Sequence, residues 1–188
     1  RGLLALGKRV TVEALSRPGT RQPGPLRCSV LLDAGQLCLW LGRYDEAEAH
    51  LRDGLAIARE QGMPEMVAAI LQPLGFAALA QGDRVQARAS VEEALSLARR
   101  QQDKRELAAA LNQVAQVDRI DGRTAEAAAH YEEALSLARE IGDFTIVAVT
   151  LLNLAMVAVI RNAPGKAAEA LLESLAIAHR TGDRLAGQ

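Results

Sequence analysis

The sequence predicts an all-α solenoid, a stack of antiparallel helix pairs, and two observations carry the prediction. The octapeptide EEALSLAR stands at residues 92–99 and again, unchanged, at 132–139, a step of 40 residues. Alanine and leucine, both strong helix formers, dominate the composition, and β-branched clusters that would announce strands are nearly confined to FTIVAVT at 144–150.

Sliding the chain along itself by 40 aligns Ala47, Ala87, Ala127 and Ala167, and likewise Leu31, Leu71, Leu111 and Leu151. Gly42, Gly82, Gly122 and Asn162 form one turn set, of residue types that tolerate the left-handed conformation ending a helix. Gly62, Gln102, Gly142 and Gly182 form a second turn set, and Gly54, Ala94, Ala134 and Ser174 a further set of small residues. Each repeat of 40 therefore reads as helix A, turn, helix B, turn.

Residues 1–17 read as the B helix of a degenerate leading repeat, because Glu13, Ala14, Leu15 and Ser16 stand 80 residues before Glu93, Ala94, Leu95 and Ser96. Residues 18–25 are a Pro/Gly loop. Helix pairs follow at 26–41 and 44–61, 64–81 and 84–101, 104–120 and 124–141, and 144–160 and 164–181. These make four full repeats, 26–63, 64–103, 104–143 and 144–183, with 184–188 starting a truncated fifth. In the third repeat, Leu107, Leu111, Val114 and Ala115 share one face of helix A, and Ala127, Tyr131, Ala134 and Ala138 share one face of helix B. Small residues at fixed places let the backbones approach closely. Pro164 suits a first helical turn, whereas Pro73, inside an A helix, predicts a kink. Asp118 stands where the other repeats carry Cys38, Ala78 and Ala158, so its burial requires a partner such as an arginine.

Composition excludes several functions. A net charge of −1 removes the electrostatic footprint that nucleic-acid binding requires, and five scattered aromatics build no base-stacking platform. No apolar run reaches the roughly 18 residues of a membrane span, and no secretory signal opens the chain, which points to a cytoplasmic setting. Cys28 and Cys38 lie ten residues apart on one helix, too far for a disulfide, and read as packing residues. The chain starts at RGLL without methionine and ends at RLAGQ, which reads as a piece of a larger protein.

No constellation for catalysis stands out, so no catalytic residue, metal or cofactor is expected. His50 and His130 occupy one repeat position two repeats apart, too distant to share a metal, and with His179 read as surface or groove-side packing. There is no GxxxxGK[ST] phosphate loop. Glu92–Glu93 and Glu132–Glu133 are neighbours on a helix, diverge by about 100°, and read as a solvated face.

The A helices carry LLDAG, LQPLG, LNQVA and LLNLA, and the B helices GRYDEAEAHL, GDRVQARASV, GRTAEAAAHY and APGKAAEALL. This pattern resembles the tetratricopeptide repeat (TPR) over nearly the whole chain. The consensus tryptophan of helix A is leucine here, and the proline ending helix B is replaced by Arg59, Arg99, Arg139 and His179. Helix B can therefore run about one and a half turns further, which accounts for 40 residues where about 34 are usual. The resemblance implies a right-handed superhelix of antiparallel helix pairs. The long repeats, ending in LAREIGD-like segments, resemble the C-terminal repeat regions of large bacterial ATP-dependent regulators, including LuxR-like activators. That implies a non-catalytic protein-interaction and signal-sensing module. The alternative is a peptide or small-molecule sensor controlling an attached ATPase, kinase or DNA-binding domain.

By the same resemblance, the concave groove is lined by A-helix residues Leu32, Gln36 and Leu39; Gln72, Phe76 and Leu79; Asn112, Gln116 and Arg119; and Leu152, Met156 and Val159. The i, i+4, i+7 spacing independently puts each trio on one helical face. Seven of these twelve are large apolar residues, which favours a surface that becomes covered. Asn112, Gln116 and Arg119 would supply orientation, with Asp33, Trp40, Gln113 and Asn153 nearby, or Asn and Gln would instead bond between repeats. The expected occupant is an extended or helical peptide, or another domain of the parent protein. The lysine pattern of carboxylate-clamping TPRs is missing. The cut ends of a solenoid expose apolar faces, so Leu3, Leu4, Leu6 and Val10 point to a possible homodimer.

Overall fold

The computed structural model describes residues 2–186, and among them ten helices and no strand. They are α1 (Gly2–Ser16), α2 (Pro18–Arg21), α3 (Pro25–Trp40), α4 (Tyr44–Glu60), α5 (Pro64–Gln81), α6 (Arg84–Gln101), α7 (Lys104–Ile120), α8 (Thr124–Ile141), α9 (Phe144–Ile160) and α10 (Pro164–Ala186). The chain forms two compact bodies, Arg1–Leu97 and Ala98–Gln188, whose boundary falls inside α6.

Seven of the eight predicted turns close in the same way. Gly42, Gly62, Gly82, Gly122 and Gly142 have φ between 64° and 82°, and Gln102 and Asn162 adopt φ 58° and 53°. The exception is Gly182, where α10 continues to Ala186 instead of turning. Residues 187–188, the end of the expected fifth repeat, lie outside the described residues. One further expectation changes. The segment 18–25 is not loop throughout: Pro18–Arg21 form one helical turn, and Pro25 already opens α3, because proline's fixed φ suits a first turn. Helix α5 remains a single helix through Pro73.

In the N-terminal body α1 packs on α3, α3 on α4 and α4 on α5. Its core gathers Leu51, Leu55, Ile70, Leu71 and Leu74 around small residues such as Ala47 and Ala58. Glycine at position 35 is a packing requirement: a Cβ there would lie 2.6 Å from Leu51 Cγ. At Gly75 it would lie 2.8 Å from Val91 Cγ1. Cys28 and Cys38 are buried and free, and Cys28 Sγ donates to the Gly54 carbonyl at 3.5 Å. Burial pushes both thiols up, which keeps them protonated packing groups.

In the C-terminal body α7 packs on α8, α8 on α9 and α9 on α10, and α7 also touches α9. Asp103 and Asp143 cap α7 and α9, each carboxylate accepting from two backbone N–H groups at 2.8–3.1 Å. Asp143 also accepts from Arg105 Nε at 2.9 Å. The Ile146 amide bond, followed by Arg105, holds the Asp143 carboxyl below its usual range.

Two outcomes follow for stability. Gly35→Val, which forces a branched side chain against Leu51, is expected to cost about 1–3 kcal/mol in chemical denaturation. Asp143→Ala removes a cap and is expected to cost about 1 kcal/mol at neutral pH. The folded pKa of Asp143 is depressed, so this contribution is complete above the unfolded value of about 3.9 and is lost as the pH falls through the folded value. Melting curves of the two proteins should therefore converge in strong acid.

Candidate functional site

The A-helix residues behave differently in the two bodies. In the N-terminal body Asp33 and Trp40 on α3 are exposed, Trp40 at 67%, while Gln36 is half-buried. On α5 Phe76 is 44% exposed and Gln72 half-buried. Leu32 and Leu39 are partly buried and pack against the core beneath, so they contribute less open apolar surface than their spacing suggests. Trp40 also lines a hollow of about 590 Å³ with Leu4, Ala5 and Tyr44, between the end of α3 and α1. On α1, Leu3, Leu6 and Val10 are 85%, 45% and 57% exposed, and Leu4 is partly covered.

In the C-terminal body two contacts set α7 and α9 side by side with an offset of 38 residues. Asn112 Nδ2 donates to Thr150 Oγ1 at 2.5 Å, and Arg105 bonds Asp143. Thr150 Oγ1 donates in turn to the Ile146 carbonyl at 2.7 Å. Asn112 is thus a buried tie between helices, 9% exposed, and of its two expected roles it takes the one between repeats. Carried along the two helices, the same offset sets Gln116 and Arg119 against positions 154 and 157 of α9.

Along α9, Val149, Leu152, Met156 and Val159 are 49%, 46%, 47% and 64% exposed. Their i, i+3, i+7, i+10 spacing makes one apolar stripe. Asn153 beside them is half-buried. Arg119 is partly buried, and its Nε is covered without a hydrogen-bond partner; Gln113 Oε1 is covered and unpaired in the same way. The phenol of Tyr131, completely buried, lies close to the Arg119 guanidinium without a well-formed hydrogen bond. Burial pushes the Tyr131 phenol up, and Arg119 acts against that shift.

A cluster that spacing alone did not assemble lies at the C-terminal end of α7, next to Arg119. Asp118 is 3% exposed and accepts from Arg123 at 2.7 and 3.1 Å, and its second oxygen lies 2.9 Å from His130 Nδ1. The expected arginine partner is therefore present. His130, read as a packing residue, is an unexpected second partner; the signal that could have found it is the helix turn that folds 118 back toward 130. Among the described residues no group of three or more His, Cys, Asp or Glu could hold a metal, and no helix is long and apolar enough to cross a membrane. Asp118→Ala removes the covered carboxylate that Arg123 and His130 share, and a loss of about 1–3 kcal/mol in denaturant titration is expected.

A family profile described as tetratricopeptide repeat matches three overlapping stretches, residues 26–100, 65–140 and 106–179. No curated protein matches the sequence significantly. Among solved structures, BtubC (BKLC) from P. vanneervenii is similar with a TM-score of 0.79 at 21% identity, over 96% of this chain and 75% of that one. A Signal Transduction ATPase with Numerous Domains (STAND) protein with a tetratricopeptide repeat sensor, from Pyrococcus horikoshii, is similar with a TM-score of 0.76 at 17% identity. That match covers 98% of this chain but only 28% of the larger one. A Podosopora anserina putative kinesin light chain with TPR-like repeats gives 0.67 at 18% identity, over 96% and 87% of the two chains. At such identities the likenesses show the fold alone. With the profile covering most of the sequence and the repeated helix pairs in the structure, the chain belongs to the tetratricopeptide repeat family and has its all-α solenoid fold.

Proposed function

We propose that this chain is a non-catalytic protein-interaction module that docks a peptide segment on its A helices, within a larger cytoplasmic regulatory protein of bacterial type. The observation that carries the reading is the exposed stripe Val149, Leu152, Met156 and Val159 on α9, together with a partly buried Arg119 on the neighbouring α7 whose Nε has no partner. An exposed apolar row of this length needs a covering surface, and a cation half-withdrawn from water needs a carboxylate. The occupant that meets both needs is an amphipathic helical segment with apolar residues at i, i+3 and i+7 and one acidic residue placed for Arg119. The regulatory context is supported by the repeat style of the sequence and by the likeness to a STAND protein whose repeats are described as a sensor.

Selection of displayed peptides on the 188-residue chain tests the reading. Enriched peptides are expected to carry that apolar spacing with a carboxylate. In calorimetry, Leu152→Ser with Met156→Ser, and separately Arg119→Ala, are expected to weaken them by roughly ten-fold or more without lowering the melting temperature. Enriched peptides lacking the pattern, or binding untouched by these substitutions, would overturn it.

A further inference from the structure

A cavity of about 500 Å³ opens in the C-terminal body between α8, α9 and α10. It lies on the opposite side of α9 from the apolar stripe: at about 100° per residue, Leu154 and Ala158 point away from Leu152 and Met156. The preceding repeat shows what the space lacks. Three residues that line it, Ala158, Ala163 and Ala170, stand forty positions after Asp118, Arg123 and His130. In the preceding repeat those three side chains fill this place with the bonded cluster described above. Here all three are cut back to alanine together, and a fourth lining residue, Ala128, replaces the arginine of the repeat before it, Arg88.

The remaining lining has a definite chemistry. Leu135, Leu151, Leu154 and Val157 supply an apolar floor. The ion pair Arg139–Glu173, 2.6 Å long, bridges α8 and α10 along the wall. Arg161 and Lys166 also line the cavity, and among the described residues neither has an ion-pair partner. They flank Ala163 at the start of α10, where the first backbone N–H groups lack intrahelical acceptors. Glu132 and Glu169, which line it too, repel a second negative group.

We propose that this cavity is a binding site for a small anionic amphiphile, a molecule with an apolar body and one carboxylate or sulfonate. The body lies on the leucine floor, and the head group sits between Arg161, Lys166 and the first turn of α10. The volume falls within the range of small-molecule sites. This site shares no residue with the peptide-docking stripe and stands or falls independently of it.

The test uses anilinonaphthalene sulfonate and its uncharged relative N-phenylnaphthylamine as fluorescent probes of the 188-residue chain. The sulfonate is expected to bind saturably at one site, and Leu152→Ser with Met156→Ser is expected to leave that binding unchanged. The triple substitution Ala158→Asp, Ala163→Arg and Ala170→His rebuilds the cluster of the preceding repeat and is expected to abolish it. Arg161→Ala with Lys166→Ala is expected to weaken the sulfonate by roughly ten-fold while leaving the neutral probe in place. Undiminished sulfonate binding in the folded triple variant, or loss that instead follows the α9 stripe, overturns the proposal. Should the triple variant not fold by circular dichroism, the double variant decides: equal effects on the two probes overturn the assignment of the head-group site.

Discussion

The close approach of helices at small residues is the constraint on which the rest of the molecule depends. Ala47, Ala87 and Ala127 are 0% exposed and Ala167 4%, and Ala94 and Ala134 are as deeply covered. Small residues at such buried positions let helix backbones approach closely. Gly35 and Gly75 carry the constraint furthest, since even a methyl group would meet Leu51 or Val91 at under 3 Å. Leucine and valine then fill the space that the small residues leave, which is why the core reads as an alternation of minimal and large side chains.

Polar groups act as local registration between these packed layers. Asn112–Thr150 and Arg105–Asp143 pin α7 against α9, and Asp118 gathers Arg123 and His130 around one covered carboxylate. The half-exposed pairs Arg59–Glu93 and Arg139–Glu173 recur at the same spacing of 34 residues, each at 2.6 Å. Such surface pairs contribute little stability. Their recurrence reflects one B helix set beside the next within each body.

Repetition makes the exceptions informative. Where Asp118, Arg123 and His130 of the third repeat give way to Ala158, Ala163 and Ala170, a cavity opens, and on the same α9 the residues Val149, Leu152, Met156 and Val159 form an exposed apolar stripe. Both features lie in the last repeat. Specificity in such a chain resides in the side chains that break the repeat, since those that keep it are spent on packing.

Periodicity was enough to place the eight repeat helices to within a residue or so, except at the end of α10, and to identify the left-handed turns, because helix length and turn chemistry are local properties. Gly182 shows the limit of that reading, for a glycine permits a turn without compelling one. Among the site residues, Phe76, Met156 and Arg119 could be placed on a face from spacing, but whether each was open or covered could not. Asn112 and Leu39 lie on the predicted face yet are drawn inward by neighbours that spacing does not reveal. The sequence by itself determined the helices, their turns and the small positions where they meet. Only the tertiary structure decided which polar atoms find partners and where space is left over, because those depend on side chains of different helices meeting, as Asn112 meets Thr150 and Asp118 meets His130.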